Sequence, residues 1–431
     1  MKHLINFITL SDPNTRYVVL GVMLMSIGTA VLGCFTFLRK KALIGDAIAH
    51  SVLPGVCLAF ILSGEKNPLL LILGAFATGW LSVLSVDFIK KYSKLKEDAA
   101  IGLVLSVFFG VGILLLTYIQ HSGNAAQSGL DSFIFGKAAS LVSADVYIFG
   151  SVAIVLVLIV FLLYKEFMLI AFDEHYAVSI GFPVRLLEVL LTTLTVLSVV
   201  VGIQAIGVVL MAAMLITPAA AARFWTNKLP YMLLVASLFG VIAGVGGAYV
   251  SYNTSGMPTG PWIVLFVSMI AILSFMFAPQ RGLVYRWYSR RVHRSRIMEE
   301  NILKAFYQLG EQDENFFRER SVSELSQKRG YAESVLTKWF STLIRHGYLR
   351  MENGKYILTE EGRLKGQRIT KLHRLWEMYL TEYVNLAPDH VHDDAENIEH
   401  IITPEIEKKL EEQLQYPDKD PHDSRIPYSK L

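Results

Sequence analysis

Nine apolar stretches, each close to 20 residues long, fill the first two thirds of this 431-residue chain and restrict that part to a helical membrane fold. A backbone in hydrocarbon must satisfy its own N–H and C=O groups, and a run of this length does so as a bilayer-spanning helix. The stretches lie near 17–38, 43–62, 68–89, 99–119, 145–164, 185–203, 205–224, 230–252 and 259–277, with Gly202–Gly207 the least distinct boundary. From about residue 280 charge takes over, so a polytopic membrane domain is followed by a soluble one. The formal net charge of +3 is too small to imply a nucleic-acid partner. The two cysteines, Cys34 and Cys57, both lie in apolar stretches and build neither a disulfide framework nor a thiolate zinc site. The first residues have no short apolar core with a cleavage site, so no removable signal peptide is expected.

Basic residues orient the spans. Arg39-Lys40-Lys41, Lys90-Lys91 with Lys94 and Lys96, Lys165 with Arg185, Arg223 with Lys228, and Arg281 onward fall in alternate connections. The intervening ones, around Gly64–Asn67, His121–Ser140 and Ser251–Thr259, are poorer in Lys and Arg. The positive-inside rule then puts the amino terminus outside and the soluble part in the cytoplasm, an arrangement that nine spans satisfy and eight do not.

The second stretch contains Gly45-Asp46-Ala47-Ile48-Ala49-His50-Ser51-Val52-Leu53-Pro54-Gly55. Ionisable side chains at membrane depth are costly and are kept where they line a pathway or bind something. Asp46 and His50 are four apart, so on a helix they share a face with Cβ atoms about 6 Å apart. A carboxylate and an imidazole so placed suit one divalent cation. The alternative is an Asp–His hydrogen bond pinning two helices. Gly240, Gly244, Gly246 and Gly247 in span eight, and Ala212, Ala213 and Ala219–Ala222 in span seven, predict close helix packing. Pro218 should bend or break span seven, as a packing kink or as a discontinuous helix. The link from Phe172 to Pro183 has room for a short surface helix ended at Gly181 and Pro183, fit to dock a partner but also an ordinary loop.

The soluble part follows a basic, aromatic stretch, Tyr285–Arg296, suited to anionic headgroups. Helix-like Met298–Leu309, Val322–Arg329 and Ala332–His346 precede two short strands flanking Glu352-Asn353-Gly354, where Asn-Gly marks a tight hairpin. That order is a winged helix. Two further helices are expected at about 359–385 and 389–415. On the last, His392, Glu396, Glu399 and His400 fall at i, i+4, i+7 and i+8, one helical face, and His373 with Glu377 make an i, i+4 pair on the helix before. Mixed carboxylate and imidazole donors suit Mn, Fe or Zn. A charged, solvated face is the alternative, and Ile398, Ile401 and Ile402 fit it poorly.

Two resemblances rest on these motifs. Residues 17–280 resemble the membrane permeases of bacterial ABC importers for manganese, iron and zinc. The stretch Gly45 to Gly55, Glu97-Asp98-Ala99-Ala100-Ile101-Gly102, Leu130-Asp131-Ser132-Phe133-Ile134-Phe135-Gly136, Gly207 to Ala220 and Phe277-Ala278-Pro279 carry the likeness. Residues 297–427 resemble the metal-dependent repressors of the diphtheria-toxin-repressor and manganese-transport-regulator type, through Leu372 to Glu377, His392, Glu396 to His400, Pro421-His422 and Ile426-Pro427. The domains expected are a permease over 1–280, a basic linker over 281–296, a winged helix over 297–365, and a helical metal-binding and dimerisation region over 366–431.

The first resemblance implies a pore lined by Asp46 and His50, in a bacterial cytoplasmic membrane, powered by separate ATPase subunits. Glu174, Ala177 and Gly181 would stand on the helix that docks into that ATPase. A second permease subunit and an extracytoplasmic metal-binding protein complete the expected partners. The chain itself carries no nucleotide loop, because Gly136-Lys137 has the wrong upstream spacing. One difficulty is that Asp46, five residues after Lys41, falls near the inner surface unless the helix start is irregular. The second resemblance implies two metal sets: Glu396, Glu399 and His400, and His373, Glu377 and His392. Asn301 and Lys304 depart from it, standing where manganese-type members have acidic ligands. A cytoplasmic sensor of the transported metal is thus expected. The alternative is a metal-dependent repressor, tethered or released by proteolysis, touching DNA through Lys338 and Arg345, and a purely structural or dimerising tail is a third reading.

Overall fold

In a computed structural model of the chain, the described residues are 7, 9, 12–65, 67–121, 136, 141–254, 257–387, 391, 395–396 and 398–428. They form two compact units, Met1–Arg286 and Trp287–Leu431.

Among the described residues the regular elements of the first unit are all helices: α1 (Pro13–Leu38), α2 (Ile44–Ser63), α3 (Pro68–Tyr92), α4 (Glu97–His121), α5 (Ser143–Leu162), α6 (Tyr164–Phe172), α7 (Glu174–Ser179), α8 (Val184–Ile206), α9 (Val208–Trp225), α10 (Leu229–Asn253) and α11 (Thr259–Phe277). Eight of these are long and apolar enough to cross a membrane, and α9 is a shorter ninth apolar helix. The chain is therefore a multi-pass membrane protein with about the expected number of spans. Starts are set locally. Asp12 and Asn67 accept hydrogen bonds from Thr15 N and Leu69 N, each just before a proline at the first helical position. Between α8 and α9 only Gly207 is non-helical, with φ at +96°, a conformation open to glycine at little cost. Neither Pro54 nor Pro218 breaks its helix.

α1 and α2 have most of their residues buried, whereas α4 and α11 have fewer than a third buried. With no hydrophobic force between helices in lipid, contact rests on dispersion at close backbone approach. A Cβ added at Gly55 would lie 2.1 Å from the Gly74 carbonyl oxygen, and one at Gly33 would lie 1.7 Å from that of Leu215. Gly244 abuts Val22 of α1 and Gly247 abuts Ile263 of α11, as the glycine stripe in span eight predicts.

The second unit holds α12 (Leu283–Gln312), whose start precedes the division between units, then α13 (Val322–Arg329), α14 (Glu333–Arg345), strands β1 (Leu349–Glu352) and β2 (Lys355–Leu358), α15 (Glu360–Glu382) and α16 (Pro404–Gln413). The hairpin pairs Leu349 with Leu358 and Glu352 with Lys355, and Asn353 and Gly354 both take positive φ. Ile302, Phe306, Leu325, Leu336, Phe340 and Leu358 form the core beneath it. Helices, turn and wing stand in the expected order.

Two local expectations change. The basic stretch read as a linker is helical from Leu283 and continues without a break into the core helix Met298–Leu309. The helix expected over 389–415 does not exist as one piece. A turn of helix around Ala395–Glu399 stops, and α16 restarts at Pro404 with Thr403 as its cap. Proline lacks an N–H and crowds the preceding turn, so Thr403-Pro404 starts a helix and cannot continue one.

Candidate metal centres

Asp46 occupies the first turn of α2, the third of its 20 residues, and His50 follows one turn later; both are half-buried. The pair therefore lies toward one end of the span, where the helix amino terminus favours a carboxylate. Close packing holds that end in place: a Cβ at Gly45 would fall 2.9 Å from Leu215 Cδ2 of α9. The His50 ring meets Phe109 of α4 edge-on at 5.1 Å, and its Nδ1 is buried without a hydrogen-bond partner. An imidazole nitrogen so placed is an open donor in an apolar wall.

Glu174 opens α7, whose cap is Asp173 accepting from Tyr176 N at 2.9 Å. Ala177 is fully buried, and Gly181 leaves the helix at φ +87°. Around that anchor Tyr176, Val178, Ile180 and Phe182 are exposed. Sequence reasoning missed Arg39. Its guanidinium pairs with Glu188 of α8 and lies 4.0 Å from Glu174, in a cleft of about 840 Å³ also lined by Lys41, Asp87, Lys90 and Glu97. Arg39 thus ties α7 and α8 to the five-residue turn that leads into Asp46. The Arg-Lys-Lys run had been informative only as an orientation signal.

In the second unit His373, Glu377, Glu399 and His400 are all buried. His373 Nε2 is 3.0 Å from Glu377 Oε1 and its Nδ1 is 2.5 Å from Glu399 Oε2, so the two expected metal sets meet at Glu399. Lys304, with no exposed side-chain surface, donates to the same Glu399 oxygen at 2.7 Å. His400 Nδ1 is 2.6 Å from Glu300 Oε2, and the other oxygen of that carboxylate, Oε1, accepts from Arg296 at 2.8 Å. Glu396 pairs with Arg329, the last residue of α13. His392 lies outside the described residues, as does the Leu130–Phe135 motif.

The electrostatics follow from these contacts. Burial pulls the Lys304 ammonium below its ordinary range, against the raising effect of Glu399. Burial opposes charge on His373 too, but hydrogen bonds to Glu377 and Glu399 outweigh it and raise its value. Burial pushes Glu300 up, and the bonds to His400 and Arg296 bring it below the usual carboxylate range. Among the described residues no three His, Cys, Asp or Glu side chains converge as a metal-holding group. Chain cations already take one oxygen of Glu396 and one of Glu399, which disfavours a divalent ion there, while Glu399 Oε1 and His400 Nε2 are buried without a hydrogen-bond partner. Lys338 and Arg345 are exposed on α14 and are its only cations.

Known proteins agree with both units. The family model described as "ABC 3 transport family" matches residues 11–278, and "Iron dependent repressor, metal binding and dimerisation domain" matches residues 359–428. The manganese transport system membrane protein MntC of Bacillus subtilis (strain 168) is 43% identical over 382 residues, covering 88% of this chain and 87% of that protein. The zinc transport system membrane protein TroC of Treponema pallidum (strain Nichols) is 43% identical over 283 residues, covering 65% of this chain and 95% of that protein. Among solved structures, PsaBC from Streptococcus pneumoniae in complex with Fab matches with a TM-score of 0.59 and 32% identity, over 67% of this chain and 99% of that chain. The chain belongs to the ABC 3 transport family, and carries after its membrane unit a region matching the metal-binding and dimerisation domain of iron-dependent repressors.

Proposed function

We propose that this chain is the membrane permease of an ATP-driven importer for a divalent transition metal, manganese first, with iron or zinc as alternative cargo. The observation that carries the reading is the half-buried Asp46 and His50, one helical turn apart in a membrane helix, with His50 Nδ1 open. One carboxylate and one imidazole from each of two permease subunits replace much of a cation's hydration shell on a shared axis. Manganese and zinc are named for relatives at 43% identity, which supports the cargo class. A separate ATPase supplies the energy, docked on α7 through the exposed side chains around Ala177, and an extracytoplasmic binding protein delivers the ion.

The positive-inside pattern supports a cytoplasmic position for the carboxyl-terminal unit in a bacterial inner membrane. We assign that unit a regulatory role in the same importer, with His373, Glu377 and His392 as its metal-responsive set. Against repressor-type DNA binding, α14 offers only Lys338 and Arg345 where phosphate contact calls for several cations.

Radioactive manganese uptake by cells carrying Asp46→Ala with His50→Ala tests the transport reading. Uptake falls to the background of cells lacking the chain, with the protein still in the membrane at its normal level. Unchanged uptake overturns it.

A further inference from the structure

Glu396, Glu399 and His400 are the set that the repressor resemblance implies shares one metal, and each already meets a charged side chain that the chain itself supplies. Arg329 of α13 meets Glu396, Lys304 of α12 meets Glu399 at 2.7 Å, and Glu300 of α12 meets His400 at 2.6 Å. These partners come from 67, 95 and 100 residues away, so the pairing belongs to the tertiary fold and not to one helix face. The centre is dry: the side chains of Lys304 and Glu399 have no exposed surface. A buried lysine is tolerated only against a carboxylate, and a buried carboxylate only against a cation. Carboxylates gathered at such a point need positive charge from somewhere, and a divalent ion is the usual source.

We propose that the Glu396, Glu399 and His400 set is a metal site converted into a self-neutralised ion-pair cluster, in which the Lys304 ammonium and the Arg329 guanidinium stand in for a divalent cation. The unit then closes around this cluster without metal, and any metal response of the unit runs through the His373, Glu377 and His392 set. The proposal rests on the regulatory reading above only for that last point. Asn301 fits the same conversion: it is a neutral side chain whose buried Oδ1 has no hydrogen-bond partner, where an acidic ligand would add a negative charge that two internal cations do not balance.

Manganese binding to the purified full-length chain in detergent, counted by equilibrium dialysis with manganese chloride, tests it. All variants share the Asp46→Ala and His50→Ala background, so the count reports the carboxyl-terminal unit and is independent of the transport reading. Glu399→Gln leaves the count unchanged, while hydrogen exchange across Glu360–Glu382 quickens roughly a hundredfold, because His373 on that helix and the buried Lys304 both lose their shared carboxylate. Lys304→Glu gains one manganese per chain, and adding Glu399→Gln removes that gain. Loss of one manganese in Glu399→Gln alone overturns the proposal, since Glu399 would then already hold metal. Unaltered exchange in Glu399→Gln, or a folded Lys304→Glu that gains nothing, overturns it equally. Should Lys304→Glu not fold, Glu399→Gln decides alone.

Discussion

At the scale of single residues, the donors were legible and their partners were not. Periodicity put Glu396, Glu399 and His400 together because they are neighbours on one turn, which the structure retains in the stretch around Ala395–Glu399. Nothing local pointed to Arg329, which ends a helix read only as part of a DNA-binding fold. Lys304 was visible as a departure from an acidic pattern, but its burial depends on packing that no short window contains. Glycines show the same contrast. A methyl group at Gly33 would meet the Leu215 carbonyl oxygen at 1.7 Å, whereas at Gly102 it meets nothing within 4 Å. Backbone cannot step aside as a rotamer can, so Gly33→Ala forces α1 and α9 apart. Its expected cost is at least about 1–3 kcal/mol, the range for overpacked cores. Gly102→Ala in α4 gains helix propensity and stays neutral or slightly stabilising. Thermal unfolding of the two variants in detergent checks the pair, and equal midpoints would refute the close-approach argument.

Elements were legible where their signals are local. Membrane helices follow from apolar length, and the wing follows from Asn353-Gly354 between short alternating strands. The failure at 389–415 came from weighting ligand periodicity over Thr403-Pro404, although the same cap-then-proline pattern starts α1 and α3. α16 is held on α15 by the buried contact of Leu410 and Leu414 with Leu375, and by charge. Lys371 of α15 lies 2.6 Å from both Glu407 and Glu411, and Arg368 lies 2.8 Å from Glu407. Burial pushes Glu407 up, but Lys371 and Arg368 outweigh it and hold its folded value below the ordinary 4.5. A depressed carboxylate contributes stability that is complete above its unfolded value and is lost as pH falls through the folded one. The stability gap between the wild type and Glu407→Gln is therefore full above pH 4.5 and closes below it. Unfolding midpoints of both proteins across that range check the sign, and a gap that widens on acidification would contradict the pairing.

For the whole molecule, the division at residues 286 and 287 separates two cores with their own hydrophobic clusters. The membrane unit carries the residues on which the proposed transport rests: Asp46 and His50 on α2, the proposed docking helix α7, and Arg39 between them. The zinc-transport relative is covered to 95% by 283 aligned residues, a length close to that of the membrane unit. A chain cut after Arg286 should then insert, pair and transport, with uptake within about twofold of the full chain, because no interaction made in the transport step is removed. What it should lose is restraint: preloading vesicles with manganese slows uptake by the full chain and leaves the shortened one unaffected. In the full chain His373→Ala should reproduce that insensitivity, since it removes a donor of the set proposed to respond to metal. If the shortened chain reaches the membrane but transports nothing, the carboxyl-terminal unit is part of the transport machinery rather than its regulator. If both chains respond alike to internal manganese, the sensing site lies in the membrane unit, and the buried ion pairs of the second unit serve folding alone.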